Sequence, residues 1–563
     1  MSPCKRRYTM RIITTRTFLV LAVAALTACA GATESGPEEP SVPVVQTTAG
    51  EIEGAWTDET EQVSVFRGVA FAQPPLGDLR WRPPAPVDPW DGTRMATEFG
   101  PACWQGRNAD DSPYARGELP RSEDCLTLNV WSAAEAPDER RPVMVWFHGG
   151  GHTAGVGSAT VFDGTAMARK GVVMVTANYR LGPFGFLAHP ALTAESEHES
   201  SGNYGILDHI ATLAWVRDNI AAFGGDPGNV TIFGQSAGSW SVCVLQASPL
   251  ARGLFHKAIG HSGGCFGAPR LHLTKTGGMA TDRSGHDAGI AVATELGAEG
   301  DGPEAAAAMR AAGPEAVMDA QRAARGGSGV VVDGWVMPTL ADEIFAAGEQ
   351  NDVPVILGSM SDEGRTLYAG MAEPPRDEFV AGLRNQYGDR TDALVAAYAA
   401  ELDTSTKIAG QAISTDRSFT WQMRAWARAI GDSNDVYLYF FSHAPPVFRL
   451  YVPDRPELDF AGGRRGAGAY HSGDLAYAFA NVGLVGIDWN DRDRELSDQM
   501  SQYWVNFATT GNPNGEGLPP WPSYDRDTEG AIEFGADATA AVNAVRKAKL
   551  DLFDRSYQAG TSN

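Results

Sequence analysis

The segment Val230–Gly238 reads VTIFGQSAG. Four residues suited to a buried strand run into a glycine, and a helical pattern, Ala237–Gln246, starts directly after Ser236. A chain that leaves a strand and enters a helix within one or two residues forces the central residue into strained backbone geometry. The glycines on either side, Gly234 and Gly238, relieve the crowding. The Ser236 hydroxyl is thereby exposed at the carboxyl edge of a sheet, over a helix N-terminus. A lone G-x-S-x-G pentapeptide is a weak signal, because Gly and Ser are common; the strand before it and the helix after it sharpen it. Ser236 is the candidate nucleophile.

Working outward, apolar strand-like runs alternate with helical patterns. Val143–Phe147, Val172–Ala177, Val230–Phe233, a strand beginning at Ala258–Gly260, Val353–Leu357 and Val436–Phe441 read as strands. Tyr204–Ala222 has helical spacing, with Ile206, Ile210, Leu213 and Val216 on one side. Buried apolar strands alternating with helices indicate an α/β fold: a largely parallel sheet covered on both faces. The Ala-rich residues 285–325 are expected to be a helical, peripheral insertion. Leu496–Thr509 is expected to be an amphipathic helix ending near Gly511.

Attack of a hydroxyl on an ester carbonyl creates an alkoxide, and backbone N–H groups must already point at it. Ala237, the residue after the nucleophile, supplies one. His148-Gly149-Gly150-Gly151 follows the strand Val143–Phe147 and supplies the others, assigned to Gly150 and Gly151. Glycines let the backbone approach a substrate closely. His148 belongs to this motif and is read as structural.

In this strand-turn-helix arrangement the acid and then the base follow the serine. If the acid lies near residue 360, only His443 and His471 of the eleven histidines follow it. His443 directly follows a strand. His471 lies in a Gly-rich loop, GAGAYHSGD, suited to placing an imidazole beside an exposed hydroxyl. For the acid, the loop after Val353–Leu357 carries adjacent Asp362 and Glu363, with Asp333 as a more distant candidate; the residues alone do not choose. No ligand cluster surrounds His471 in sequence, and no C-x-x-C occurs, so neither a metal nor another cofactor is expected.

At 563 residues with 43% hydrophobic positions, a large core is available. The net charge of −24 opposes nucleic-acid binding, and five of the 45 basic residues sit in the first 28 positions, leaving the remainder more acidic still. Those five (Lys5, Arg6, Arg7, Arg11, Arg16) precede an apolar run, Phe18–Leu26, too short to span a bilayer. It closes on Leu26-Thr27-Ala28-Cys29, which resembles a bacterial lipoprotein cleavage site, with Cys29 lipidated and Met10 an alternative start. Residues 1–28 are thus a signal peptide, 29–44 a small, acidic and Pro-rich tether, and 45–560 one folded domain. The lipid is the expected membrane contact, on an exported protein held at the cell envelope. Cys103, Cys125, Cys243 and Cys265 remain. An even number in an exported chain suggests disulfides, here the sequence-local pairs Cys103–Cys125 and Cys243–Cys265.

Beyond the serine motif, further segments resemble the type-B carboxylesterases, which include cholinesterases and bacterial para-nitrobenzyl esterases. They are FRGVAFAQPPLGDLRW (66–81), SEDCLTLNVW (122–131), NYGILDHIATLAWVRDNIAAFGGDPGNVTIFGQSAG (203–238), VVVDGWVMP (330–338), ILGSMSDEG (356–364), AYHSGDLAYAF (469–479), YWVNFATTGNPN (503–514) and WPSYD (521–525), in the family's order. The resemblance implies an α/β-hydrolase fold and serine-dependent hydrolysis of small to medium acyl or aryl esters, without a cofactor. It selects Glu363 as the acid, joining Ser236 and His471. It also implies the Cys103–Cys125 disulfide and structural ion pairs Arg80–Glu123 and Arg180–Asp208. Two departures stand out. Gln235 occupies the position where many members have Glu. The stretch between Cys103 and Cys125 carries no evident choline-binding aromatic, so a cholinesterase is not expected. Trp240, one turn past Ser236, is expected to pack.

Overall fold

β-Branched and aromatic residues in short continuous runs cannot sit on a half-exposed surface, and the computed structural model buries them between two layers of helices. It describes residues 42–558 except 59–61, 107–113, 115, 118–119, 268–269, 278–279, 327–328, 448–459, 461 and 486–487. The expected signal peptide, Cys29 and the tether up to residue 41 lie outside the described residues.

Among those residues the main sheet has eleven strands. In chain order they are β1 (Ala55–Trp56), β2 (Ser64–Ala70), β3 (Thr127–Ser132), β4 (Arg141–Phe147), β5 (Val173–Ala177), β6 (Gly225–Gln235), β7 (Lys257–His261), β8 (Val355–Met360), β9 (Val436–Phe441), β10 (Gly530–Phe534) and β11 (Thr539–Asn543). The spatial order is β11-β10-β9-β8-β7-β6-β4-β5-β3-β2-β1. From β10 to β5 every pairing is parallel. The antiparallel pairs lie at the two edges. The fold is an α/β-hydrolase fold, as expected.

Period-two alternation splits the core between the faces. Along β4, Val143, Val145 and Phe147 join one buried cluster, while Met144 and Trp146 join the other. Both faces being dry explains why this strand reads as an unbroken apolar run.

Helix α1 (Tyr204–Asn219) passes into a short 3-10 turn, Ile220–Phe223, and α2 (Ala237–Ala247) starts immediately after Ser236. The Ala-rich region forms α3 (Gly285–Glu295), α4 (Pro303–Ala311) and α5 (Pro314–Ala323). These are not merely appended: Val292, Ala306, Met309 and Val317 belong to the same core cluster as β4. Helix α6 (Glu363–Leu367) follows β8, and α7 (Asp491–Thr510) ends at Gly511 with φ 83°.

The chain runs from β4 to β5 on one side, then crosses to β6 on the other side of β4. This reversal opens a crevice between the carboxyl ends of β4 and β6, the place where open α/β sheets bind ligands. His148–Gly151 follows β4, and Ser236 follows β6.

Candidate active site

Ser236 has φ 57° and ψ −123°, a conformation an L-residue adopts at a cost of about 1–3 kcal/mol. Surrounding contacts impose it. Its N–H donates to the His261 carbonyl at 2.8 Å, and its carbonyl accepts from the Trp240 N–H at 2.9 Å. The flanking glycines are required by backbone proximity. A Cβ on Gly234 would lie 2.4 Å from the Gly238 carbonyl carbon, and one on Gly238 would lie 2.0 Å from the Phe147 carbonyl oxygen.

The glycine loop after β4 crosses directly over this turn. A Cβ on Gly149 would meet the Gln235 carbonyl oxygen at 2.7 Å and Ser236 Cβ at 3.1 Å. Gly150 has φ 108°, and its carbonyl accepts from the N–H groups of Thr153 and Ala154. Gln105 anchors the loop's far side: its amide donates to the Gly155 carbonyl at 2.7 Å and accepts from the Gly155 N–H at 2.8 Å. No motif pointed to Gln105; only its position two residues after Cys103 could have. His148 contacts the Gly149 carbonyl through Nδ1 at 2.8 Å and stacks on Tyr179. Burial pushes its pKa down to about 4, so it is neutral and structural, in line with the sequence reading. His152 has φ 57°, meets Ser241 Oγ through Nε2 at 2.9 Å, and is likewise lowered by burial to about 4.

Glu363 begins α6 and is fully buried. One carboxylate oxygen accepts from the Met360 N–H at 2.9 Å; the other is hydrogen-bonded to His471 Nδ1. The imidazole, 5% exposed, lies beside the Phe419 ring and turns Nε2 toward the Gln235 side-chain nitrogen at 3.0 Å. Asp362 points elsewhere, accepting from the Ala469 N–H, and Asp333 closes a turn by accepting from the N–H groups of Trp335 and Met337. His443 pairs with Asp493 at 2.6 Å. The structure therefore brings Glu363 and His471 together beside the residue preceding Ser236, and takes the other candidates away.

Cys103–Cys125 and Cys243–Cys265 are both disulfide-bonded. Arg80 pairs with Glu123, with its Nε 2.7 Å from one carboxylate oxygen. Arg180 grips Asp208 through its backbone N–H, Nε and Nη2 at 2.7–2.9 Å, and both side chains are buried. Trp240 packs against the His152 ring, with the Arg270 guanidinium over the indole, 4.9 Å from the ring centroid.

Residues 41–553 match the model of the Carboxylesterase family. The chain is 35% identical over 501 residues to fumonisin B1 esterase of Sphingopyxis macrogoltabida, covering 88% of this chain and 86% of that one. It is 36% identical over 532 residues to liver carboxylesterase 1F of Rattus norvegicus, covering 88% and 91%. A solved structure of PNB esterase matches with a TM-score of 0.74 at 28% identity, over 91% of this chain and 99% of that one. The chain belongs to the carboxylesterase family and hydrolyses carboxylic esters, with the serine mechanism general to that family.

Proposed function

We propose that Ser236 is the nucleophile, His471 the general base and Glu363 the acid that orients it. The observation that carries this reading is the His471 ring, bonded to buried Glu363 through Nδ1 while Nε2 faces the residue adjoining Ser236. A carboxylate at Nδ1 requires the proton there, which leaves the Nε2 lone pair to take a proton. Ser236 Oγ attacks the ester carbonyl as His471 accepts its proton. The N–H groups of Gly150, Gly151 and Ala237 hold the oxyanion. His471 then protonates the departing alcohol, and a water molecule activated by the same ring releases the acid. Small to medium acyl or aryl esters are the proposed substrates. The protein is further read as one domain over residues 45–560, exported and held at the cell envelope by a lipid on Cys29. The two disulfides support export, since they persist in oxidising compartments.

The test is para-nitrophenol release from acetate, butyrate and octanoate esters by wild type and Ser236→Ala, with folding checked by circular dichroism. Activity should vanish in the variant; surviving activity would mean another nucleophile. Mass analysis of the mature N-terminus tests the lipid, and an unmodified terminus away from Cys29 would reject it.

A further inference from the structure

Gln235 stands directly before Ser236, is 1% exposed, and reaches the reactive nitrogen of the proposed base. Which of its amide atoms does so follows from proton accounting. The His471 Nδ1 faces the Glu363 carboxylate, which only accepts, so Nδ1 carries the ring proton. Nε2 is then an acceptor, and the contact at 3.0 Å must come from an amide N–H. The amide oxygen lies 2.8 Å from the position a Gly149 Cβ would take.

We propose that Gln235 is a positioning residue for the base: its amide donates to His471 Nε2 and holds the imidazole of the free enzyme neutral. The proposal rests on the assignment of His471 as the base. A donor bonded to the neutral form stabilises that form, and it meets N–H with N–H once the ring is charged. The acid limb of kcat/KM reports the free enzyme's base, so it reads the loss of this contact. The amide occupies the Nε2 lone pair that the Ser236 hydroxyl needs, and it yields that lone pair when a substrate draws the hydroxyl in. It also disfavours a lingering imidazolium, promoting transfer of the proton to the leaving alcohol.

Among the described residues, no other group donates to His471 Nε2. Glu363, from α6, favours the charged ring. Phe419 contributes an uncharged face. Asp362 bonds the Ala469 N–H, and Asp474, on the same loop as His471, is engaged by His261 Nδ1 and the Tyr439 hydroxyl. Gln235 is the neutral donor opposing the Glu363 carboxylate. A carboxylate in its place would put acceptors on both ring nitrogens.

The experiment is the pH dependence of kcat/KM for para-nitrophenyl acetate with wild type, Gln235→Glu and Gln235→Met. The Glu variant should move the acid limb up by about 1–2 units, so that activity on the acid side falls at least about tenfold relative to its plateau. The Met variant, which removes the donor without adding charge, should move it up by about half a unit. An unmoved limb, a downward shift, or a larger shift for Met than for Glu overturns the inference. If the Glu variant does not fold, the Met variant decides alone. Ser236→Ala and His471→Ala run alongside. Activity surviving in them strikes the triad assignment; activity lost there with an unmoved limb in the Gln235 variants strikes this inference only.

Discussion

Gly238→Ala probes the packing that holds the two halves of the site in register. Gly238 lies in the first turn of α2, so helix propensity alone favours alanine by up to about 1 kcal/mol. The structure predicts the opposite sign. The new Cβ would lie 2.0 Å from the Phe147 carbonyl oxygen and 2.9 Å from that of His148. Ordinary contact starts at 3.4 Å, so the end of β4 and the start of α2 must separate by about 1.4 Å. Both clashing atoms belong to backbone, and no flexible side chain yields in their place. The displaced segment is the root of the His148–Gly151 loop, so the N–H groups of Gly150 and Gly151 shift against that of Ala237. A misplacement of about 1 Å costs on the order of 10²-fold in rate, and loss of one oxyanion donor costs about 10²–10³ in kcat. The expected result is a fall in kcat of about 100-fold with a much smaller change in KM, because the proposed oxyanion donors act on the transition state. Thermal unfolding should also come earlier. The assay is steady-state para-nitrophenol release from acetate and butyrate esters, alongside circular dichroism melts. A variant that keeps kcat within about threefold and melts no earlier would refute the reasoning, because it would mean that β4 and α2 can part without disturbing the site.

Asp208→Asn should destabilise the protein by about 3–5 kcal/mol, since it strips the buried Arg180 of its carboxylate; an unchanged urea midpoint would contradict this. Replacing Cys103 and Cys125 by serine opens a loop with a sequence separation of 22, and chain entropy puts the loss at about 3 kcal/mol. Differential melting of the double variant measures it, and a shift near zero would point to a denatured chain already compact. Stability should also fall between about pH 6.5 and about pH 4. His148 and His152 titrate near 4 in the folded protein against about 6.5 unfolded. Protonation of the unfolded chain thus removes on the order of 3 kcal/mol per ring as pH falls through that window, with no further loss from these rings below it. Unfolding midpoints taken across the window test this; a flat profile there would show that neither ring is held neutral.

The interior of the fold was legible because strands dry on both faces leave unbroken apolar runs. Val436–Phe441 matches β9 residue for residue. The edges were not. β1 is two residues long and half-buried, and β11 exposes Ala540, Ala541 and Asn543, so neither carries such a run. β6 starts at Gly225, before the apolar Val230, because Gly225 pairs with Arg141 across a register shift that a polar DPGN segment accommodates. α7 starts at Asp491 rather than Leu496, because Asn490 and Asp493 form a capping box that the apolar period does not register. At the site, the glycine spacing pointed to the strained turn at Ser236 and to the glycine loop that crosses it. The choice between Asp362 and Glu363 was beyond residue-level reading, since neighbours leave a helix start in different directions. Glu363 faces inward to the Met360 N–H and His471, whereas Asp362 faces the Gly468–Ala469 backbone.

Residue type alone would also mislead about the proposed base, because among the described residues His471 is one of three buried histidines paired with a carboxylate. His261 contacts Asp474 through Nδ1 at 2.8 Å, and its Nε2 accepts from the Trp504 indole N–H at 3.1 Å. Both ring nitrogens are committed within the core, so this ring has no lone pair to offer. His443 turns Nε2 toward Asp493 at 2.6 Å, and that carboxylate is also gripped by Arg465 and the Tyr477 hydroxyl. Its remaining nitrogen is buried and has no hydrogen-bond partner among the described residues. His471 differs in where its second nitrogen points. Its partner there is a neutral amide on the residue preceding the nucleophile. A hydrogen bond of this kind contributes about 1 kcal/mol net and can be exchanged for another, whereas the core bonds of His261 cannot be released without leaving buried polar groups unpaired. Proton transfer needs a lone pair that is both aimed and releasable. Among these three rings, that condition singles out His471, and it makes the neutrality of Gln235 part of the same design.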